Sequence, residues 1–123
     1  MSIDFPKLVD AWLGSPDKGS DVPEYLDSFL AFDFVFSLMR ESPEDGWQFL
    51  LEASRRELSP KRASMLSAGP LEDLLANHGT VIIQKVELEA KQNPAFRNLL
   101  SGVWQNQTPS PIWTRVKLAA KPQ

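Results

Sequence analysis

Apolar residues recur along the chain at intervals of three and four positions, the spacing that places them on one face of an α-helix. Four series of this kind are the clearest, and they begin at Trp47, Leu71, Phe96 and Ile112. No stretch alternates apolar and polar residues convincingly enough to indicate a strand. The pattern therefore predicts an all-α fold.

Prolines preceded by a small or polar residue mark the starts of several predicted helices. A polar residue can cap the first turn, and proline fits the first helical position because its missing N–H is not needed there. The pairs are Ser42-Pro43, Ser59-Pro60, Gly69-Pro70, Asn93-Pro94 and Ser110-Pro111. Together with the apolar spacing they predict about seven or eight short helices, near residues 5–13, 23–41, 43–57, 61–67, 70–78, 80–92, 94–105 and 111–120. We expect a compact array, for which stacked helical hairpins are one arrangement, although the chain has no clear repeat of fixed period.

The chain length of 123 residues fits a single helical domain over residues 1–123. Segment 14–22 is predicted to be a loop by its glycine, serine and aspartate content, and residues 121–123 a frayed tail. The N-terminus lacks the basic and apolar regions of a signal peptide, and cysteine is absent. The longest apolar stretch, residues 29–39, is too short to span a membrane. We therefore expect a cytoplasmic protein with no membrane partner.

The segment from Glu24 to Arg40 is apolar almost all round. A helix of this kind is expected in the middle of a fold, with neighbours on several sides. Asp33 lies inside it, where a buried charge is costly unless it is paired. We expect an ion partner from another helix, and the alternative is a functional carboxylate in an apolar site.

The sequence offers little for catalysis or metal binding. It has no phosphate-binding glycine loop, no H-E-x-x-H and no nucleophile elbow, and one histidine cannot form a multi-histidine metal site. We therefore expect no cofactor and no bound metal, and we consider an enzyme improbable. His78 is interpreted as a structural residue in the last turn of its helix, with Gly79 as a left-handed cap. The alternative is a general base assisted by Glu72 or Asp73, although these adjacent carboxylates fit better as first-turn acids.

Several other charged and aromatic residues receive structural interpretations. Glu87 can pair with Lys91 one turn later. Four tryptophans are expected mainly in the core, and an exposed one would be a candidate interface anchor: Trp12, Trp47, Trp104 and Trp113. A small basic cluster is interpreted as solvated, so no nucleic acid is expected; it consists of Arg55, Arg56, Lys61 and Arg62.

Two runs of residues carry a resemblance to a known family. They are Ala68-Gly69-Pro70-Leu71-Glu72-Asp73-Leu74-Leu75 with His78-Gly79, and Pro94-x-Phe96-Arg97-x-Leu99-Leu100-x-Gly102-Val103-Trp104 with Trp113-x-Arg115-Val116. Over about residues 47–116 the chain resembles a family of small bacterial proteins classed as a domain of unknown function. The resemblance implies a bacterial source and a helical fold. It implies no activity and no catalytic residues.

Charge is divided unevenly along the chain. The net charge is −3 overall, whereas residues 1–57 carry twelve acids and five bases and residues 58–123 carry four acids and eight bases. Such an asymmetry can steer a charged partner, and the alternative is a solvated acidic surface. The predicted partner-binding residues are Asp17, Asp21, Glu24, Asp27, Glu41, Glu44 and Asp45.

These features favour a protein-binding module with one protein partner. The preferred version is an immunity or antitoxin-like protein that neutralises a basic toxin, since an acidic surface would complement such an enzyme. The alternative is a housekeeping helical domain that acts through self-association as a homo-oligomer or within a larger assembly.

Overall fold

The structure, a computed structural model, describes residues 3–13 and 24–121. No strand occurs among these residues, so the predicted all-α fold is confirmed. The predicted number of helices agrees as well, because the described residues form seven α-helices and one π-helical turn. The helices are α1 (Phe5–Trp12), α2 (Glu24–Glu41), α3 (Pro43–Ser54), α4 (Pro60–Leu66), α5 (Glu72–Gln92), α6 (Pro94–Leu100) and α7 (Ser110–Ala120), and the π-helical turn is Ser67–Leu71.

Side-chain caps begin three of these helices. Asp4 accepts a hydrogen bond from the backbone N–H of Lys7, Ser59 from that of Arg62 and Asn93 from that of Phe96, at 3.1 to 3.2 Å. These bonds satisfy N–H groups that have no partner inside the helix. Ser42 is the N-cap residue of α3 as predicted, although its side chain makes no capping bond. The predicted cap Ser110 is wrong, because Ser110 lies inside α7 and Pro109 is the capping residue.

The Gly69-Pro70 pair does not start a helix, contrary to the prediction. The chain is helical without interruption from α4 through the π-helical turn into the first part of α5. A π-helical turn suits a proline because one backbone hydrogen bond is missing there in any case. The buried Ser67 hydroxyl donates to the Leu99 carbonyl at 2.6 Å, and this bond ties the turn to the end of α6.

The predicted helices 70–78 and 80–92 meet at a kink inside α5, so the predicted boundary coincides with a real break in helical geometry. His78 has non-helical backbone angles, φ −138° and ψ 27°, yet α5 continues on both sides of it. Gly79 is not a left-handed cap, so that interpretation is wrong. Glycine is required there for another reason: a Cβ atom would lie 2.9 Å from Cγ2 of Ile112, where α7 crosses α5.

The buried apolar side chains of all seven helices form one core cluster, which α5 crosses. Helix α5 packs against α2, α3, α6, α7 and the π-helical turn. The expectation that α2 occupies the middle is therefore wrong. Helix α2 buries one face and leaves four large apolar side chains 40% to 58% exposed, which are Leu30, Phe32, Phe34 and Phe36. Asp33 is also exposed on the outward side, so it is not a buried charge, and it pairs with no base in residues 3–13 and 24–121.

The tryptophans differ in burial. Trp12 and Trp47 are core residues as predicted, and Trp113 packs against the core. Trp104 is 73% exposed, which contradicts its assignment to the core. The reason is that α6 ends at Leu100 instead of residue 105, so the helical spacing that placed Trp104 on the inner face no longer applies. Helix α3 likewise ends at Ser54, before the predicted residue 57.

Two arginines form ion pairs between helices. The guanidinium of Arg115 in α7 donates to Glu87 in α5, with 2.9 Å between Nε and Oε2, and this bond lowers the pKa of the Glu87 carboxyl. Glu87 therefore pairs with α7 and not with Lys91 of its own helix. Arg56 contacts Asp10 of α1 and Glu52 of α3, so it is not one of the solvated bases.

Along the part of the chain that the structure describes, no helix combines the length and apolar character that crossing a membrane requires.

Candidate functional site

The structure separates the predicted acidic residues into two groups. Asp17 and Asp21 lie outside the described residues, and Glu24 and Asp27 belong to the first turns of α2. Glu41, Glu44 and Asp45 lie at the junction of α2 and α3, where the first two are exposed and Asp45 is half-buried. Since Glu24 and Glu41 are at opposite ends of α2, about 26 Å of helix separates them, at 1.5 Å per residue. The two groups do not form one compact cluster.

An apolar groove runs along one flank of α2. It has a volume of about 350 Å³ and is called here the α2 groove. Its aromatic and thioether rim is partly open to solvent, with Phe32 40%, Phe36 47% and Met65 39% exposed. It is lined by Trp12, Phe32, Val35, Phe36, Met65, Ala68, Gly69, Pro70 and Asp73.

Local structure explains the shape of the α2 groove. Phe32 and Phe36 are one helical turn apart, so their side chains lie on the same flank of α2. The opposite wall comes from α4 and the π-helical turn, where small residues leave space; a Cβ atom on Gly69 would meet nothing within 4 Å. Trp12 lies 5.0 Å from the ring of Phe32 and 5.9 Å from that of Phe49, between centroids, which fixes it between the groove and the core.

Asp73 is the ionisable residue among those that line the α2 groove. Burial raises the pKa of its carboxyl, the neighbouring Glu72 raises it further, and Arg40 acts in the opposite direction. Its ionised form is therefore poorly solvated, and none of the bases that the structure describes forms an ion pair with it. A groove with apolar walls and a carboxylate can accept an apolar group that carries a cation or a hydrogen-bond donor.

Glu72 has a different role from its neighbour. It accepts hydrogen bonds from the backbone N–H of Trp104, at 3.4 Å, and from the side-chain amide of Asn106. Asn106 adopts a left-handed conformation with φ 43°. Glu72 thus fastens the segment after α6 to the start of α5. A second cleft of about 520 Å³ lies beside this contact and is lined by Glu72, Asp73, Ala76, Asn106 and Gln107.

His78 joins α5 to the end of α2. Its Nε2 atom lies 2.7 Å from the Arg40 carbonyl oxygen, and since that oxygen can only accept, Nε2 is the donor. The predicted structural role of His78 agrees with this contact, although the carbonyl group that it hydrogen-bonds lies at the end of α2 and not at the end of its own helix. The Nε2 donor is used by this bond to the Arg40 backbone.

Metal binding finds no support in the described part of the chain, where no three His, Asp or Glu side chains are grouped to hold an ion. The residues that sequence reasoning missed are Phe32, Phe36 and Asp73. One signal for them was present, because α2 is apolar on more of its circumference than neighbouring helices can cover.

Comparison with known protein families gives a match over residues 19–123. The chain belongs to DUF6869, a family of unknown function. The resemblance to a family of unknown function, drawn from residues 47–116, is thereby confirmed, and the DUF6869 match extends upstream through the whole of α2. One of the runs that carried the resemblance, residues 68–75, contributes Ala68, Gly69, Pro70 and Asp73 to the α2 groove.

A curated protein also shows partial similarity. Over 86 residues the chain is 35% identical to the nucleoprotein of Newcastle disease virus (strain Chicken/United States/B1/48). The aligned part is 67% of this chain and 15% of that protein, so the chain spans a small fraction of the length of the nucleoprotein. No solved structure matches the chain.

Proposed function

We propose that this DUF6869 chain is a protein-binding module that holds its partner in the α2 groove. The observation that carries the proposal is the exposure of Phe32, Phe36 and Met65 around a groove of about 350 Å³. Side chains of this size usually lie inside a folded protein, and a group of them at the surface is typical of a binding site. Aromatic anchors of this kind contribute most of the binding free energy in many protein interfaces.

We further propose that the module is of the immunity or antitoxin type, a bacterial and cytoplasmic protein that neutralises one basic partner. Support comes from the exposed Glu41 and Glu44 beside the groove-lining part of α5. A Cβ atom on Gly46 would lie 3.4 Å from Leu74, and His78 bonds to Arg40, so the junction of α2 and α3 lies against α5 just after Asp73. Exposed acids at the rim of an interface accelerate the association of a basic partner.

The proposal is tested by affinity capture from cells of the source organism, with wild type and two variants. Phe36→Asp places a charge on the rim of the α2 groove. The matched control is Leu88→Asp, which makes the same kind of change at a 63% exposed position in α5 outside the groove lining. We expect wild type and the control to retain one stoichiometric protein and Phe36→Asp to lose it.

Two results would refute the proposal. One is a wild-type chain that retains no stoichiometric protein in cells that express it. The other is a partner that Phe36→Asp retains as well as the control does, because the α2 groove would then lie outside the interface.

A second candidate is self-association through Trp104. Its 73% exposure is the observation that favours it, since an exposed tryptophan is a frequent interface anchor. Sedimentation velocity over a hundredfold range of protein concentration tests this candidate. We expect a dimer that Trp104→Ser converts to a monomer, whereas a wild-type monomer at every concentration would exclude it.

A further inference from the structure

We infer that the α2 groove binds a basic side chain of the protein partner, a lysine or an arginine. Its aliphatic stem lies between Phe32, Phe36 and Met65, and its charged end reaches the carboxylate of Asp73. The inference rests on the proposed function and names the chemistry by which the partner is recognised. It concerns what enters the α2 groove, whereas the proposed function concerns only whether a protein binds there.

The walls of the α2 groove suit the stem of such a residue. Lysine and arginine carry three or four methylene groups that pack against apolar surface while the charged end stays polar. The aromatic rings add an attraction for cations. Arg40 already makes such a contact within the chain, because its guanidinium carbon lies 5.1 Å from the ring centroid of Phe36.

The carboxylate of Asp73 determines which kind of side chain the α2 groove favours. Asp73 is half-buried, lines both the α2 groove and the second cleft, and forms no ion pair with any base of the described residues. An apolar or acidic side chain would cover this carboxylate and leave it without a partner, which is costly. A cation would instead offset both the lost solvation and the repulsion by Glu72.

Two other charged groups act on Asp73, and neither occupies the position in the α2 groove that is proposed for the partner's cation. Glu72 of α5 is bonded to the segment after α6, and Arg40 of α2 lies over Phe36 without an ion pair to Asp73. A volume of about 350 Å³ accommodates one long side chain with part of its neighbour, so a whole helix does not enter. The acids at the junction of α2 and α3, Glu41 and Glu44, would meet further bases of the same partner.

The test uses three small probes of equal chain length and different charge: pentylammonium, 1-pentanol and hexanoate. Each is titrated into the full chain at pH 7.5, and binding is followed by backbone amide NMR shifts. We expect shift changes at Phe36, Gly69 and Asp73, and an affinity order of ammonium, then alcohol, then carboxylate. The ammonium should bind about fivefold more tightly than the alcohol, the scale of one partly exposed charge contact.

Two matched variants test whether the preference for pentylammonium comes from the carboxylate of Asp73. Asp73→Asn should remove most of the preference for pentylammonium over pentanol and leave only the weaker attraction of the aromatic rings. Asp33→Asn makes the same change at an exposed position of α2 that does not line the groove, and it should retain the fivefold difference. Lowering the pH should reduce the preference in wild type in the same way, because a protonated Asp73 no longer attracts a cation, whereas pentanol binding should stay constant.

Several outcomes would overturn the inference. Equal affinities for the three probes, or tighter binding of pentanol, would indicate a purely apolar occupant. Tighter binding of hexanoate would indicate an acidic one. A preference for the ammonium that is undiminished in Asp73→Asn would place the cation elsewhere.

The probes need no partner, so this result is independent of the capture experiment. If the probes show no charge order but capture still depends on Phe36, the inference fails and the proposed function stands. If the charge order holds and no protein depends on Phe36, the α2 groove binds cations and the proposed function fails.

Discussion

Gly69 of the π-helical turn and Gly79 of α5 differ in the space around them. A Cβ atom on Gly79 would be 2.9 Å from Ile112 of α7, and the same atom on Gly69 would face open space. Atoms of adjacent side chains rarely approach so closely, so a side chain at residue 79 requires α7 to move. The absence of a side chain at Gly79 thus allows α5 and α7 to cross closely, whereas the absence of one at Gly69 keeps the α2 groove wide.

These two glycines give a matched pair of substitutions. We expect Gly79→Ala to lower the free energy of unfolding by about 1–3 kcal/mol, because it overfills a packed contact. Gly69→Ala should leave it unchanged or raise it by up to about 1 kcal/mol, since alanine is the better helix former. Urea denaturation of both variants checks this, and equal stabilities would show that α7 is not packed closely on α5.

The ionised side chain of Asp73 is expected to lower the free energy of unfolding at neutral pH. Its pKa is raised in the folded chain by burial and by Glu72, so the folded state binds a proton more readily than the unfolded state. The stabilisation by the protonated form is complete below the unfolded pKa of about 4 and is lost as the pH rises through the folded pKa. We expect Asp73→Asn to raise the free energy of unfolding at pH 7, by less than about 1 kcal/mol for a partly exposed group.

The measurement for Asp73→Asn is chemical denaturation at several pH values. The difference from wild type should shrink towards zero at pH 3, where Asp73 is protonated in both states. Asp33→Asn serves as the control, because Asp33 is exposed and lies outside the groove. A stabilisation that persisted at low pH would have to come from something other than the charge.

Among the described residues, Arg56 makes the clearest polar contacts between helix α1 and the rest of the chain. Helix α1 has eight residues and buries only Val9 and Trp12. Arg56, just beyond α3, contacts Asp10 and donates to the Pro6 carbonyl at 3.0 Å. One guanidinium thus bonds to two positions of α1 while its Nε atom lies 3.4 Å from Glu52. Only arginine has the donor geometry for all three contacts.

We expect Arg56→Ala to speed hydrogen exchange of the α1 amides, about tenfold for a loss near 1.4 kcal/mol. The amides of α5 should keep their rates, because none of these contacts involves α5. Arg55→Ala is the control, since Arg55 is largely exposed and its nearest carboxylate, Glu52, is 3.6 Å away. Equal effects of the two variants would mean that apolar packing alone holds α1.

The helices whose starts were predicted correctly have their signals in neighbouring residues. Ser59-Pro60 and Asn93-Pro94 cap their own helices through bonds that span three residues. The positions that were predicted wrongly depend on distant contacts. The π-helical turn bonds through Ser67 to Leu99, and His78 reaches Arg40 across 38 positions. Local spacing contains no information about such partners, so it predicted a helix start at Gly69-Pro70, inside a helical run, and a left-handed cap at Gly79.

Across the whole molecule, α5 should be the most stable region. Ile82, Ile83 and Val86 are at most 2% exposed, and the inner side of α5 packs against α2, α3, α6 and α7, whereas Val81 and Leu88 on its outer side are exposed. Global unfolding is required to open amides in such a position. We expect native-state hydrogen exchange to be slowest at residues 82–86 and at least tenfold faster in α1 and in the segment after α6. Equal protection in α1 and α5 would contradict this.

The candidate site was the least predictable part of the molecule. The α2 groove combines residues from α1, α2, α4, the π-helical turn and α5, and no sequence pattern joins Trp12 to Asp73. The excess of apolar residues on α2 was visible in the sequence, but it was interpreted as burial on several sides. Distinguishing a central helix from a helix with an exposed flank requires knowing which neighbours cover it.

The walls of the α2 groove come from residues 12, 32–36 and 65–73, so the groove exists only when these segments have folded together. Any molecule that occupies it must therefore favour the folded over the unfolded chain. At a concentration of one hundred times its dissociation constant, such a molecule adds about 2.7 kcal/mol to the free energy of unfolding. That corresponds to an increase of about 10 °C in melting temperature for a chain of this length. A thermal-shift screen of wild type beside Phe36→Asp can thus find an occupant of the groove before any cellular role is known.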